Sequence, residues 1–295
     1  MTARNAIGAW FLALRPKTLT AALVPVAVGT GLARATHGVT DWVVVLCALG
    51  GAACIQIATN LFNDAIDFGK GSDTEERVGP MRVTQAGLIS PRTVMLGGVI
   101  FLALATLCGI PLIVKGGWLV AGVGAASLAC AYVYTGGPAP LAYRGLGDLF
   151  VMIFFGLVAV SVTHFLHVGV FTPISLVAGV QVGSWAVTLL AVNNLRDVET
   201  DAKADKRTLP VRFGAGFGRI EVAVSALLPF ALGAVWWWEV SPWATLLPLA
   251  ALPLAALVIR GVHVDAPGEI YNRHLARAAA TQLVGGTMLT VGFWI

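Results

Sequence analysis

Charge is scarce in this chain. Of its 295 residues only 12% are Asp, Glu, Lys or Arg, about half the share found in ordinary soluble domains. With 57% of the residues hydrophobic, the shortage excludes a water-soluble fold, because too little polar surface remains to cover so much apolar material. Cysteine is also sparse. Cys47, Cys54, Cys108 and Cys130 all stand inside apolar runs without a C-x-x-C pair, which excludes a disulfide framework and leaves small packing residues. No cleavable leader is expected, since Arg15-Pro16-Lys17 interrupts the first apolar segment and no small-residue cleavage pattern precedes the next. The Gly/Pro stretch at 136–140 is not a phosphate loop, because no strand precedes it and no G-K-[ST] follows. The net charge is +4, yet no soluble basic domain exists that would hold nucleic acid.

Long apolar runs are abundant. Segments able to cross ~30 Å of hydrocarbon as helix fall at Leu19–Ala35, Trp42–Phe62, Thr93–Val114, Trp118–Thr135, Leu149–Phe171, Ile174–Leu195, Ile220–Trp238, Trp243–Arg260 and Leu275–Ile295. They predict an all-α bundle of about nine membrane-spanning helices, with residues 1–295 forming one integral-membrane domain in contact with lipid. Of the 19 Lys and Arg, 17 fall in one set of connections, and only Arg34 and Lys115 in the other. By the positive-inside rule the richer set is cytoplasmic, with the N-terminus inside, the C-terminus outside and the plasma membrane as the location. Trp42, Trp118, Trp236 to Trp238 and Trp243 sit near expected span ends, as an interfacial aromatic belt requires.

Against that apolar background two acidic stripes stand out at the cytoplasmic ends of expected helices 2 and 6. Asn60, Asn63, Asp64 and Asp67 recur at helical spacing, and so do Asn194, Asp197 and Asp201. Each stripe is followed by basic residues: Lys70 and Arg77 after the first, Lys203, Lys206 and Arg207 after the second. Solvated helix ends with local salt bridges would account for one such patch. Two form a weak internal repeat, and carboxylates near a membrane carry a penalty that function usually explains. Oxygen donors of this type suit Mg²⁺, which keeps several waters and takes one or two carboxylates together with substrate phosphates. Two facing patches would hold a diphosphate, with Arg82 forking onto a phosphate and Lys206 serving as a mobile point charge.

These residues resemble the UbiA superfamily of intramembrane aromatic prenyltransferases. Asn63-Asp64-x-x-Asp67 followed by Asp73, and Asp197-x-x-x-Asp201, look like its two aspartate-rich motifs in the expected order. Finer stretches are similar to the branch that prenylates 1,4-dihydroxy-2-naphthoate in menaquinone synthesis: residues 14–33, 70–82, 140–148 (PLAYRGLGD) and 193–214. The resemblance implies Mg²⁺ on Asp64, Asp67, Asp197 and Asp201. It also implies a polyprenyl diphosphate held by Asn60, Asn63, Asn194, Arg82, Lys206 and Lys17, and transfer to the naphthoate ring with loss of CO₂ and diphosphate. One departure from the superfamily spacing stands here: Gly71 occupies the usual place of a third acid, and Asp73 lies two positions later. Asp73 is therefore a weaker ligand candidate than Asp64 or Asp67.

The segment from Tyr132 to Asp148 admits two readings. Tyr134, Tyr143 and Arg144 would form an acceptor site, with Arg144 on the naphthoate carboxylate, or the stretch is a Gly/Pro turn with a topological arginine and interfacial tyrosines. His164 and His167, one turn apart with no carboxylate nearby in sequence, read as packing residues rather than metal ligands. Two rival functions are carried: a related prenyltransferase acting on 4-hydroxybenzoate, homogentisate or a glycerol phosphate, and a transporter. A transporter would put its charges near the bilayer midplane in both halves, whereas here they gather at one end.

Overall fold

The computed structural model describes residues 3–71, 78–79, 81–138 and 140–295, with the side chains of 3–6 and 17 left aside. All its regular structure among these residues is helical. The helices are α1 (Ala3–Leu14), α2 (Leu19–His37), α3 (Trp42–Gly69), α4 (Pro91–Val133), α5 (Gly147–Val168), α6 (Pro173–Arg196), two short turns α7 (Val198–Lys203) and α8 (Leu209–Phe213), then α9 (Ala215–Glu239), α10 (Pro242–Val264) and α11 (Tyr271–Trp294).

Three helices start by the same local chemistry. Ser90-Pro91, Thr172-Pro173 and Ser241-Pro242 each put a hydroxyl at the cap and proline in the first turn. The hydroxyl accepts a backbone N–H that the helix leaves unpaired, and the proline has no N–H to waste. Asp41 caps α3 in the same way, accepting from the Val43 and Val44 amides.

Seven described helices are long and apolar enough to cross a membrane: α2 to α6, α9 and α10. The sequence predicts nine spans, and the two counts differ at α4 and α11. The 43 residues of α4 would make a rod of roughly 65 Å if straight, twice the hydrocarbon thickness. It is not straight. Gly117 leaves the helical path at φ 68°, ψ −157°, a region open to glycine alone. Phe62 packs against Gly98 near the start of α4 and edge-on to Tyr132 at its end. Both ends of α4 therefore return to the same residue of α3, and the helix is a hairpin turning at Gly117. Predicted spans Thr93–Val114 and Trp118–Thr135 are its two arms. The ninth predicted span lies in α11, whose first turns carry Arg273, His274 and Arg277 and hold it below the apolarity of the other seven.

Burial is graded across the bundle. The apolar window of α6 is 67% buried, that of α4 only 17%, so α6 is central and α4 peripheral. One core cluster joins Val24, Val28 and Leu32 of α2 to Val160 of α5, Val182 of α6, Trp236 of α9 and Leu289 of α11. The single indole N–H of Trp236 is satisfied by Gln181 Oε1 at 2.7 Å. Helices α5 and α6 approach backbone to backbone: a Cβ on Gly156 would fall 2.5 Å from the Gly179 carbonyl and 2.7 Å from the Gly183 Cα. Here α5 runs as a π-helix, Met152–Val158, a widened turn of the kind found where a helix must be re-aimed. This brings the N-terminal end of α5 beside the ends of α3 and α6.

Candidate active site

At the end of α3 the helical stripe read from sequence divides into three environments. Asn60 is 4% exposed and faces inward. Its amide donates to the Leu14 carbonyl and the Thr18 hydroxyl, and its oxygen receives Gln56, so it ties α3 to the α1–α2 turn and does not reach the cavity described below. Asp64 is fully engaged with the backbone that follows the helix. One oxygen accepts from the Val83 amide at 3.2 Å, the other from the Thr84 amide at 3.2 Å and from the Thr84 hydroxyl. Asn63 and Asp67 face the cavity. Asn63 accepts from the Thr135 hydroxyl, while Asp67 pairs with Arg82 at 3.3 Å and receives the Tyr143 hydroxyl at 3.0 Å.

At the end of α6 the sequence expectation of one continuous stripe meets a bend. The helix ends at Arg196, Asp197 takes φ −96°, ψ 10°, and α7 restarts at Val198. Backbone bonds from Asp197 to Asn193 and from Asp201 to Asp197 carry across the bend, so Asn194, Asp197 and Asp201 still face together. The bend has a consequence of its own. Neighbouring residues in a regular helix point away from each other, yet here Arg196 reaches Asp197 through two bonds, Nε to Oδ1 at 2.8 Å and Nη2 to Oδ2 at 2.7 Å. Arg196 also donates to Asn193 and to Asn272 of α11. From the sequence Arg196 is one of the 17 basic residues on the richer side and no more, because the bend has no signature in the residue pattern. Asp201 pairs with Lys206 at 3.4 Å.

The two clusters meet. A cavity of about 200 Å³ is lined by Asn63, Asp67 and Arg82 on one side and by Asn193, Asn194, Asp197, Thr200, Asp201 and Lys206 on the other. Tyr134, Tyr143 and Asp148 complete its wall, and Arg15 also reaches it. Three cavity carboxylates each rest against a cation from the same neighbourhood, as buried charge requires. Tyr143 is held between the halves: its ring lies 4.4 Å from Lys70 Nζ and 5.9 Å from Lys206 Nζ. Its carbonyl receives the Arg207 amide at 3.0 Å. The crossing of these two loops depends on Gly145 at φ 69°, where a Cβ would stand 2.5 Å from the Arg207 carbonyl. Burial, followed by the negative charge of Asp148, Asp201 and Asp67, raises the Tyr134 phenol pKa and keeps it protonated. Burial lowers the Lys70 ammonium pKa against the opposing pull of Asp67, and the same ammonium donates to the Thr135 carbonyl at 2.6 Å.

Arg144 is placed elsewhere. Its exposed side chain lines a separate outer groove with Arg207, Arg212 and one edge of Tyr143. Asp73 lies outside the described residues, and the Lys17 side chain is likewise not described.

The donor set suits a hard divalent cation. It consists of carboxylate, amide and hydroxyl oxygens from two facing helix ends, with no sulfur or imidazole among the described residues of the cavity wall. Among the described residues no three His, Cys, Asp or Glu already converge as a chelate.

Residues 22–273 match the UbiA prenyltransferase family. The chain belongs to this family. Relatives within reach by sequence include the 1,4-dihydroxy-2-naphthoate octaprenyltransferase of Mycobacterium tuberculosis, 39% identical over 83% of each chain. The enzyme of the same name from Haemophilus influenzae is 36% identical over 97% of this chain and 96% of its own. A UbiA homologue from Archaeoglobus fulgidus solved with DMAPP and Mg²⁺ aligns with a TM-score of 0.60 over 96% of this chain and 99% of its own. At 19% identity that structure establishes the shared UbiA fold.

Proposed function

We propose that this UbiA-family protein transfers a polyprenyl group from polyprenyl diphosphate to 1,4-dihydroxy-2-naphthoate, releasing diphosphate and CO₂ and giving the prenylated naphthalenediol, the reduced form of demethylmenaquinone. The observation that carries the reading is the joining of two acidic helix ends in one cavity at one end of an apolar bundle. The naphthoate-prenylating relatives support the choice of acceptor. Asp67, Asp197 and Asp201, with Asn63, Asn193 and Asn194, would hold Mg²⁺, and Asp64 joins them if its backbone ties open. Bound Mg²⁺ supplies charge neutralisation at the diphosphate oxygens as the carbon–oxygen bond breaks.

The chain's own residues then have separable duties. Arg82 and Lys206, which pair with Asp67 and Asp201, would serve the phosphate oxygens, Arg82 by a two-point fork and Lys206 as a point charge. Tyr134 and Tyr143 border the acceptor, with Tyr134 held protonated as a hydrogen-bond donor. Arg144, in the outer groove, meets the naphthoate carboxylate on its way in. The site sits on the cytoplasmic side of the plasma membrane, the N-terminus inside and the C-terminus outside, and the whole chain serves as one transferase unit. The isoprenoid tail stays among apolar helices while its diphosphate is gripped at the polar end.

The test is product analysis. Purified protein given polyprenyl diphosphate, Mg²⁺ and either the naphthoate or 4-hydroxybenzoate is expected to yield only the prenylated, decarboxylated naphthalene by mass spectrometry. Prenylated hydroxybenzoate in its place would move the protein to another acceptor class. Flux of a solute across proteoliposomes with no product from either acceptor would remove the enzymatic reading.

A further inference from the structure

One wall of the cavity carries a group that diphosphate binding leaves unused. Asp148 is the second residue of α5 and 7% exposed. Its carboxyl is hydrogen-bonded to the carboxyl of Glu221 on α9. The remaining oxygens, Asp148 Oδ1 and Glu221 Oε2, are buried without a hydrogen-bond partner among the described residues. Two carboxyls in hydrogen-bond contact cannot both be ionised, since one must supply the hydrogen. The pair therefore holds at least one proton, and in its singly protonated form it carries one negative charge. Asp148 faces the cavity and Glu221 backs it, because Asp148 lines the space and Glu221 does not. Next to them Gly147 runs beneath the Tyr134 hydroxyl, with 3.1 Å between that oxygen and the position a Cβ would take.

A buried, unpaired carboxylate oxygen on a residue that lines the cavity is an unmet acceptor, of a kind rarely kept in a folded chain without a purpose. No cation among the described residues pairs with it in an ion pair, in contrast to Asp67, Asp197 and Asp201. What it lacks is a donor, and a hydroxylated aromatic acceptor brings one.

We propose that Asp148 accepts the proton of the acceptor's ring hydroxyl, with Glu221 as the positioning residue that keeps the pair singly protonated. The inference rests on the functional reading above and deepens it. In the step, Asp148 takes the hydroxyl proton while the adjacent ring carbon bonds to the allylic carbon and the allylic carbon–oxygen bond breaks, its electron pair leaving with diphosphate. The ring oxygen is now a ketone beside the carbon that bears the carboxylate. Loss of CO₂ returns an electron pair to the ring as an enolate, and Asp148 gives the proton back to that oxygen. The carboxyl pair ends as it began, and no oxidant or reductant is needed.

Asp148→Asn keeps the size of the side chain and removes the proton acceptor. Its kcat for naphthoate transfer is expected to fall by about 10²- to 10⁴-fold, the range for a lost general base. The KM for polyprenyl diphosphate and the Mg²⁺ concentration for half activity should stay at the wild-type values. Glu221→Gln is expected to lower kcat by less, again without moving either constant, and it carries the test if the Asn variant does not fold. A second probe is the acceptor whose ring hydroxyl next to the carboxylate is methylated. With no proton to give, it should react equally poorly with wild type and Asp148→Asn. Undiminished kcat in both variants would overturn the proposal, as would a loss traced to weakened Mg²⁺ or diphosphate binding. Failure of the wild-type protein to use the naphthoate at all would instead overturn the functional reading beneath it.

Discussion

Asp197→Asn is expected to lower prenyl transfer by roughly 10²- to 10³-fold, the usual loss when one preorganised electrostatic contact to developing charge is removed. Stability should fall as well. Arg196, 4% exposed, makes two bonds to that carboxylate, and breaking one side of a buried ion pair costs about 3–5 kcal/mol. Asn193 and Asn272 remain as acceptors for the guanidinium, so the drop should sit at or below the lower end of that range. Asp201→Asn separates the two effects. Its partner Lys206 keeps a 21% exposed side chain and can turn to water, so this variant should lose activity with little change in melting temperature. Activity assays and thermal melting of both variants in the same detergent check the pair of expectations. Equal melting of Asp197→Asn and wild type would contradict the role given to Arg196.

The first acidic cluster also separates its two members, here by what each one holds in place. Asp64 uses both oxygens on the Val83 and Thr84 backbone and the Thr84 hydroxyl. In Asp64→Asn an amide NH₂ would confront those donors, leaving buried polar groups unpaired at about 1–3 kcal/mol. The segment it holds also carries Arg82, which pairs with Asp67. Asp64→Asn should therefore both destabilise the protein and lower transfer by at least about 10²-fold. Asp67→Asn should lower transfer to a similar degree. Because Arg82 is as buried as Arg196, it should also cost stability by the same ion-pair argument. Tyr143 still donates to the remaining side-chain oxygen, and Asp64 keeps its ties to Val83 and Thr84. Limited proteolysis within residues 70–90, followed by mass spectrometry, reads the difference: cleavage is expected to be faster in Asp64→Asn, which loses the ties to the Val83 and Thr84 backbone, than in Asp67→Asn.

How much of this was legible in the residues follows from what each inference needs. Apolar runs and their polar interruptions are local, so the helices and the gathering of acids at their ends could be read directly. The pause at Lys115-Gly116-Gly117 marked the turn of the α4 hairpin, because a glycine beside a charge interrupts an apolar run. The roles of single side chains depend on what lies across the bundle. Asn60 shares a stripe with Asp67, yet it turns to Thr18 and Leu14, and no spacing rule distinguishes the two. Arg196 became a site residue only through the bend at Asp197. Asp148 sat in a stretch read as a turn, and its partner Glu221 lies in another helix 73 positions away, beyond the reach of periodicity. Arg144, chosen for its charge and its neighbours in sequence, faces the outer groove because Gly145 turns the chain there.

The central claim is that the two acidic helix ends act together on one metal-bound diphosphate. Its most direct test is the binding of a polyprenyl thiodiphosphate, a slowly reacting analogue, to the protein in lipid nanodiscs by titration calorimetry with and without Mg²⁺. The account predicts binding that needs Mg²⁺, disappears with chelator, and is lost alike in Asp67→Asn and Asp197→Asn. Binding of equal strength without Mg²⁺, or retained in either variant, would contradict it.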